Sequence, residues 1–369
     1  MPTADKINGV EIDDIEKING VPKSSIEEVN GVELGSPVAM RWVVGSTSGK
    51  IFHSPASNAA ANWAELIDLG GETFKSVAYG QDNSGNPRVI LHAANNADEI
   101  AYANDGGADL TDSNNWSSVN HSTNYKATDQ GPSIAWGNNV WIQGGATAAR
   151  TVGATTYYDG PLKSTDGGAT WTKIDVNNTV NSAIGVVCYK SGTTWLMTIK
   201  DSVWKSTDAG DSWSEVGVIE SGKRIQSMAY NGSRWVAVLD SDNIWYSDDD
   251  WSNSTEVTNG AWVGTWKPTG VVYAAGSINK WVVCGNNGRL AYSGDATSFT
   301  TIWAGDDTDW ETSHIRAIAT DHTTIVIVGD TGKIATSSNG TSFTIRSIAG
   351  NPTNALWSVA SDVIGAGMR

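Results

Sequence analysis

Ser164-Thr165-Asp166-Gly167-Gly168-Ala169-Thr170-Trp171 is the stretch on which the fold turns. It sets a hydroxyl, a carboxylate, two glycines and an indole within one short hairpin. An Asp carboxylate accepts hydrogen bonds from backbone N–H groups of its own turn. Gly takes a backbone conformation that a side chain forbids. Trp offers a large apolar face for packing. The same spacing returns intact in Ser206-Thr207-Asp208-Ala209-Gly210-Asp211-Ser212-Trp213. Shorter versions stand at Ser293-Gly294-Asp295-Ala296-Thr297-Ser298-Phe299 and Ser337-Ser338-Asn339-Gly340-Thr341-Ser342-Phe343, with eroded ones around Ser54, Asp105 and Asp249. A turn recurring at even spacing marks a repeat architecture.

On either side of each turn, one unit repeats. A strand of small and apolar residues comes first, as in Ser76-Val77-Ala78-Tyr79. A second strand often opens on Trp, as in Arg234-Trp235-Val236-Ala237-Val238, and a third ends near Ser, as in Asn243-Ile244-Trp245-Tyr246-Ser247. The Ser-x-Asp hairpin and a fourth, outer strand close the unit. Seven units start near Arg41, Phe74, Ser133, Ala183, Arg224, Gly270 and Ile315. Their Gly/Asn turns and strand spacing predict four-stranded antiparallel sheets. The first unit opens on Arg41-Trp42-Val43-Val44, a second-strand pattern with no first strand before it. Leu356-Trp357-Ser358-Val359-Ala360 supplies a first-strand pattern at the other end, so the last strand is expected to close a ring and remove its exposed edges. Val363-Ile364-Gly365-Ala366-Gly367 resembles a further second strand without a place.

Composition fits a turn-rich all-β chain. Of 369 residues, 17% are charged and 40 are Gly. The net charge of -16 argues against nucleic acid and against anionic lipid surfaces. Met1-Pro2-Thr3-Ala4-Asp5-Lys6 carries no apolar core of a signal peptide, and no run reaches a membrane span of ~18 residues, so no membrane insertion is expected. Cys188 and Cys284 sit in apolar runs and read as buried free thiols on equivalent strands. His53, His92, His121, His314 and His322 show no metal-ligand spacing, so no metal or other cofactor is expected.

The first 35 residues obey a different grammar. Ile7-Asn8-Gly9-Val10, Ile18-Asn19-Gly20-Val21 and Val29-Asn30-Gly31-Val32 repeat at an 11-residue interval. Asn-Gly tolerates the positive φ of a tight type I′ turn, so the region reads as short extended pieces joined by turns. Its lysines and carboxylates sum to -5, and its few Ile and Val are too little for a core. It is expected to be a docking arm, 1–35, ahead of a second region, 36–369.

The Ser-x-Asp-x-Gly-x-x-Trp turn, with Ser164, Asp166, Gly168, Trp171, Ser206, Asp208, Gly210 and Trp213 at its fixed positions, resembles the Asp-box (BNR) repeat of sialidase-like propellers. The likeness runs from about residue 40 to the end. It implies a seven-bladed β-propeller in which the Asp residues are scaffold and Trp packs between blades. Trp171→Ala is then expected to cost about 3–5 kcal/mol, as for a buried aromatic deletion. The catalytic pattern of the sialidases, an Arg-Ile-Pro element, three arginines and a Tyr/Glu pair, is missing: Arg41 is followed by Trp42-Val43, and Glu65, Glu72, Glu215 and Glu220 read as lying in polar turns. Without paired carboxylates glycoside chemistry lacks its parts, and the chain is expected not to be an enzyme.

The Asn-Gly-Val repeats in turn resemble N-terminal repeats of tailed-bacteriophage virion proteins. That resemblance implies a virion structural protein made in a host cytoplasm: tail, fibre, baseplate or capsid decoration. Its arm would pair with other virion subunits, in multiple copies on a symmetric assembly. A host-surface glycan or protein is a further candidate partner. The alternatives are an assembly factor similar to the photosystem II propellers, and a glycan-binding lectin.

Trp is abundant, at 18 residues, and Trp251, Trp262, Trp266, Trp303 and Trp310 crowd one sector. Trp303 and Trp310 flank Asp306, Asp307 and Asp309, a pattern that suits a sugar held by ring stacking and carboxylate hydrogen bonds. The plainer reading has Trp303 ending an outer strand and Trp310 covering a core edge. A second candidate is the insertion from Gly144 to Pro161 with Tyr157, Tyr158 and Asp159. Asp248-Asp249-Asp250 is a carboxylate run of the kind usually found in a solvated turn.

Overall fold

The structure, a computed structural model, describes 42–55, 63–71, 73–93, 99–104, 110–120, 133–144, 160–176, 182, 184–257, 267–304, 310 and 312–362. It also gives the backbone of strands within 6–33 and 149–158. Seven four-stranded antiparallel sheets stand in a ring. Blade 1 runs, from inner to outer strand, Leu356–Ser361, Trp42–Ser46, Lys50–Ser54 and Ala64–Asp68. The others begin with inner strands Phe74–Gln81, Ile134–Gly137, Ile184–Ser191, Ile225–Tyr230, Pro268–Ala274 and Ile315–Thr320. These starts lie within a few residues of those expected from the repeats. The C-terminal strand closes the ring as expected, antiparallel to Trp42–Ser46, with Val359 opposite Val44. A second tie joins the same junction outside: Trp63 bridges Ile348, and Ala349 N–H donates to the Trp63 carbonyl at 2.9 Å.

Because blades stack face to face, second strands are covered on both sides and are apolar without alternation. Trp235-Val236-Ala237-Val238-Leu239 is buried throughout. The opening indoles Trp42, Trp141, Trp195, Trp235 and Trp281 are at most 1% exposed. Among the described residues the core is accordingly seven apolar clusters, each spanning one pair of neighbouring blades.

Inner strands of neighbouring blades do not share a ladder, so their backbone groups need other partners. Side-chain hydroxyls supply them around the ring. Ile134 N–H donates to Ser76 Oγ at 3.2 Å, Val187 N–H to Ser133 Oγ at 3.1 Å, and Val271 N–H to Ser227 Oγ at 3.2 Å. Ser358 Oγ donates to the Phe74 carbonyl, Thr269 Oγ1 to the Ile315 carbonyl, and Ser361 Oγ to the Thr320 carbonyl. Six of the seven junctions are bridged by these bonds. At the seventh, between blades 4 and 5, Cys188 Sγ approaches the Met228 carbonyl at 3.7 Å, a weaker contact. Cys188 lies on an inner strand and Cys284 on a second strand, so the two thiols are buried and outside any disulfide but not on equivalent strands.

The Ser-x-Asp turns join third to outer strands. In blade 4, Gly210 N–H donates to Ser206 Oγ at 2.8 Å, Ser212 N–H donates to Asp208 Oδ1 at 2.9 Å, and Trp213 Nε1–H donates to the Gly210 carbonyl. Blade 3 repeats this with Ser164, Asp166, Gly168, Thr170 and Trp171. Gly168 and Gly210 have φ of +91° and +87°. A Cβ on Gly210 would lie 2.5 Å from Ile142 Cδ1 of the preceding blade, so that side chain would have to shift, and the positive φ strains any other residue there. Trp213 packs against that blade, and Trp171 against blade 2. Both indoles are only half-buried, so the 3–5 kcal/mol expected for Trp171→Ala is corrected to about 2 kcal/mol.

Among the described residues no helix is long and apolar enough to cross a membrane. Glu65 and Glu215 lie on outer strands, contrary to the expectation that they fall in turns; Glu72 is outside the described residues. So are residues 363–369.

This geometry yields two stability tests. Ser227→Ala leaves the buried Val271 N–H without its acceptor and is expected to cost about 1–3 kcal/mol in urea unfolding. The exposed Ser233→Ala control should cost much less. Partial desolvation raises the Asp208 pKa, but bonds from Ser212 and Ser206 outweigh it and hold the carboxyl at about 2. A depressed folded-state pKa gives stability that is present above the ordinary 3.8 and lost as pH falls toward about 2. Thermal melts should therefore drop across that acid window, and drop less steeply in Asp208→Asn.

Candidate functional site

Inner strands of blades 3 to 6 carry an aromatic residue at or near their C-terminal ends: Trp136, Tyr189, Tyr230 and Tyr273. Each of the three tyrosines packs on the indole opening its own second strand. Tyr189 lies 5.1 Å from Trp195, Tyr230 4.6 Å from Trp235 in a stacked pair, and Tyr273 4.9 Å from Trp281. The residue after each aromatic decides how the next blade packs. After Tyr79 comes Gly80, where a Cβ would meet the Trp136 ring at 2.2 Å. After Trp136 comes Gly137, where a Cβ would meet the Tyr189 ring at 2.1 Å. These glycines let the neighbouring ring lie on bare backbone. In blades 4 and 5 the matching residues are Lys190 and Asn231. A cleft of about 330 Å³ opens there, with Tyr189, Tyr230, Tyr273, Asn231, Trp235 and His322 among its walls.

The polar groups of the cleft are held in place from behind. Lys190 Nζ donates to Asp250 Oδ1 at 2.6 Å and sits 5.2 Å from the Tyr230 ring centroid. Asp250 also accepts from Lys205 at 2.8 Å and from Trp235 Nε1–H at 2.9 Å. Desolvation pushes the Asp250 carboxyl up, but these three donors outweigh it and hold it at about 2. Asn231 Oδ1 accepts the N–H groups of Ser233 and Arg234, which leaves its amide nitrogen as the donor. His322 Nδ1 accepts from Ala275 N–H at 3.1 Å, so the neutral ring carries its proton on Nε2. Burial lowers the His322 pKa, against a smaller opposing effect of Asp321, and favours that neutral ring. On the cleft wall, burial pushes the Cys188 thiol up to about 12, so it is no nucleophile at neutral pH.

The residues singled out from sequence are placed elsewhere. Trp303 ends the outer strand of blade 6, half-buried, 5.8 Å from both Trp310 and Phe343. Trp310 is fully buried and donates through Nε1 to the Ser313 carbonyl. A ring with no exposed face cannot stack on a ligand, so the two-indole sugar clamp is corrected to core packing. Asp306, Asp307 and Asp309 lie outside the described residues, as do Trp262, Trp266 and Asp159. Tyr157 and Tyr158 lie on the second strand of a hairpin, Ala149–Val152 with Thr155–Tyr158, inserted in blade 3. The carboxylates of Asp248-Asp249-Asp250 are each committed: Asp248 to Arg234, Asp249 to its own turn and Asp250 to the two lysines. Among the described residues no cluster of three or more His, Cys, Asp or Glu could hold a metal. The cleft escaped the sequence reading because its tyrosines also fit a packing role. The available signal was their recurrence one blade apart with the flanking glycine replaced.

No family model matches the chain, and no curated protein matches it. Solved structures share its ring. The GH74 xyloglucanase from Xanthomonas campestris superposes with a TM-score of 0.57 at 16% identity, over 89% of this chain and 56% of that one. YCF48 from Cyanidioschyzon merolae gives a TM-score of 0.53 at 12% identity, over 74% and 85% of the two chains. YCF48 bound to D1 peptide gives 0.51 at 12%, over 74% and 81%. At such identities the likeness establishes the fold alone.

Asp250→Ala tests the support of the cleft. It strands two lysines and the Trp235 N–H, and after discounting for partial exposure it is expected to cost about 2 kcal/mol. Denaturant unfolding measures the loss, and Trp235 emission should shift with it.

Proposed function

We propose that the chain is a non-enzymatic structural protein of a bacteriophage virion, anchored by residues 1–35 and displaying the propeller of residues 36–369. The observation that carries this reading is the arm. Three strand pairs, Lys6–Ile7 with Val10–Glu11, Lys17–Ile18 with Val21–Pro22, and Glu28–Val29 with Val32–Glu33, each form a two-stranded sheet of their own among the described residues. Each pair brackets one Asn-Gly, whose own residues lie outside the described set. Three copies of one small ribbon suit repeated backbone contacts with a neighbouring subunit. Copies on a symmetric particle would then convert weak contacts of the displayed ring into avidity.

The non-enzymatic part of the reading draws support from the carboxylates. In this reading the Ser-x-Asp turns are Asp-box repeats, with Asp166, Asp208, Asp249 and Asp295 occupied in their own hairpins. Glu220 is held by Asn243 and Trp245, and Asp330 by Arg316. A second reading, an assembly factor that holds a peptide, is favoured by the cleft together with a similar ring solved with a peptide bound.

Immunogold labelling of purified particles with antibody against residues 40–369 separates the two. Regular label is expected, and its position distinguishes tail from capsid. Antigen-accessible particles without label would remove the virion reading. Deleting residues 1–35 should leave the melting transition unchanged and abolish incorporation into particles.

A further inference from the structure

The cleft lined by blades 4 to 7 has ligand chemistry that the display reading does not assign. Its walls combine aromatic faces with hydrogen-bond donors. Tyr230 and Tyr273 are half-buried, with one part of each ring packed on Trp235 or Trp281. The Tyr230 hydroxyl is tied to the Gly232 carbonyl at 2.6 Å, and the Tyr273 hydroxyl to Asn279. Both rings are thus oriented before any ligand arrives, which lowers the ordering cost of binding. The Asn231 amide nitrogen and His322 Nε2 stand as donors beside them, their acceptor atoms being used internally. Lys190 adds donors of its own, but its charge is tied to Asp250.

These features select among ligand classes. A purely apolar ligand would strand the donors of Lys190, Asn231 and His322. An anionic ligand would meet a protein of charge -16 in which the local lysine is already paired. An uncharged pyranose satisfies both demands: its C–H face packs on a flat ring and its hydroxyl oxygens accept from the donors. The size agrees, at the small end of ligand pockets, whose volumes run from ~300 to 1,000 Å³.

We propose that the cleft formed by Tyr189, Tyr230, Asn231, Tyr273 and His322 binds an uncharged sugar ring, stacked on Tyr230 or Tyr273. This deepens the display reading by naming what the displayed face takes. Its test uses the isolated protein and stands apart from labelling of particles.

The experiment is saturation-transfer NMR on the full chain with the methyl glycosides of glucose, galactose, mannose and N-acetylglucosamine. At least one should receive saturation, strongest at the axial C–H protons of one face. Tyr230→Ala should weaken that glycoside by about tenfold. Asn231→Asp keeps an acceptor for Ser233 and Arg234 but removes the donor, and should weaken it as well, which covers a Tyr230→Ala chain that fails to fold. Trp303→Ala, in the outer strand of blade 6, should leave binding unchanged. The proposal is overturned if none of the four glycosides receives saturation. It is equally overturned if the signal survives both cleft variants, or if a sialoside or an acidic peptide displaces it while the uncharged sugars compete poorly among themselves.

Discussion

Ring closure depends on how buried backbone groups are satisfied where one blade meets the next. A four-stranded sheet settles its own ladder, but seven of them radiating from an axis leave inner strands side by side without shared pairing. Ser76, Ser133, Ser227, Thr269, Ser358 and Ser361 bridge those strands with side-chain bonds. Each such bond is modest, about 1 kcal/mol net, yet an unmet buried N–H costs more. The apolar clusters at the blade junctions supply the larger driving force, and the hydroxyls let it act without leaving polar groups stranded. Closure through Leu356–Ser361 then commits both ends of the ring to one sheet.

The same logic explains where function has room. Ser-x-Asp turns consume their carboxylates in local hydrogen bonds, and their indoles lean on the preceding blade, so those residues are spoken for. The junction between blades 4 and 5 departs from the rule. Its inner strands meet through a thiol contact, and the blade 4 inner strand opens on Ile184-Gly185-Val186 with no hydroxyl to bridge to blade 5. The glycine that lets aromatic rings close over blades 2 and 3 is there replaced by Lys190, and in blade 5 by Asn231. The cleft lies where the repeat is least regular.

Much of this was legible in the sequence. Blade starts near Ser133, Ala183 and Arg224 were readable because their second strands open on the buried indoles Trp141, Trp195 and Trp235 and their third strands end in Ser, two signals that packing imposes on those repeats. The closing strand was readable because Trp42 begins a second-strand pattern with nothing before it. Trp303 and Trp310 were harder: two indoles around carboxylates look alike whether they face a ligand or a core, and only burial separates the cases. The cleft residues were hidden for the converse reason. Tyr230 and Tyr273 pack on Trp235 and Trp281 and donate to their own turns, so a sequence pattern assigns them wholly to scaffold. Their spare ring surface appears only once neighbouring blades are in place.

In the virion protein proposed above, a self-contained ring is held outward by its own arm, residues 1–35, docked on a neighbouring subunit. Cryo-electron microscopy of purified particles would show this arrangement or its absence. The account predicts seven-bladed rings at symmetry-related positions, with residues 1–35 of each lying against a different subunit. Particles without the ring, or an arm folded back on its own propeller, would contradict it.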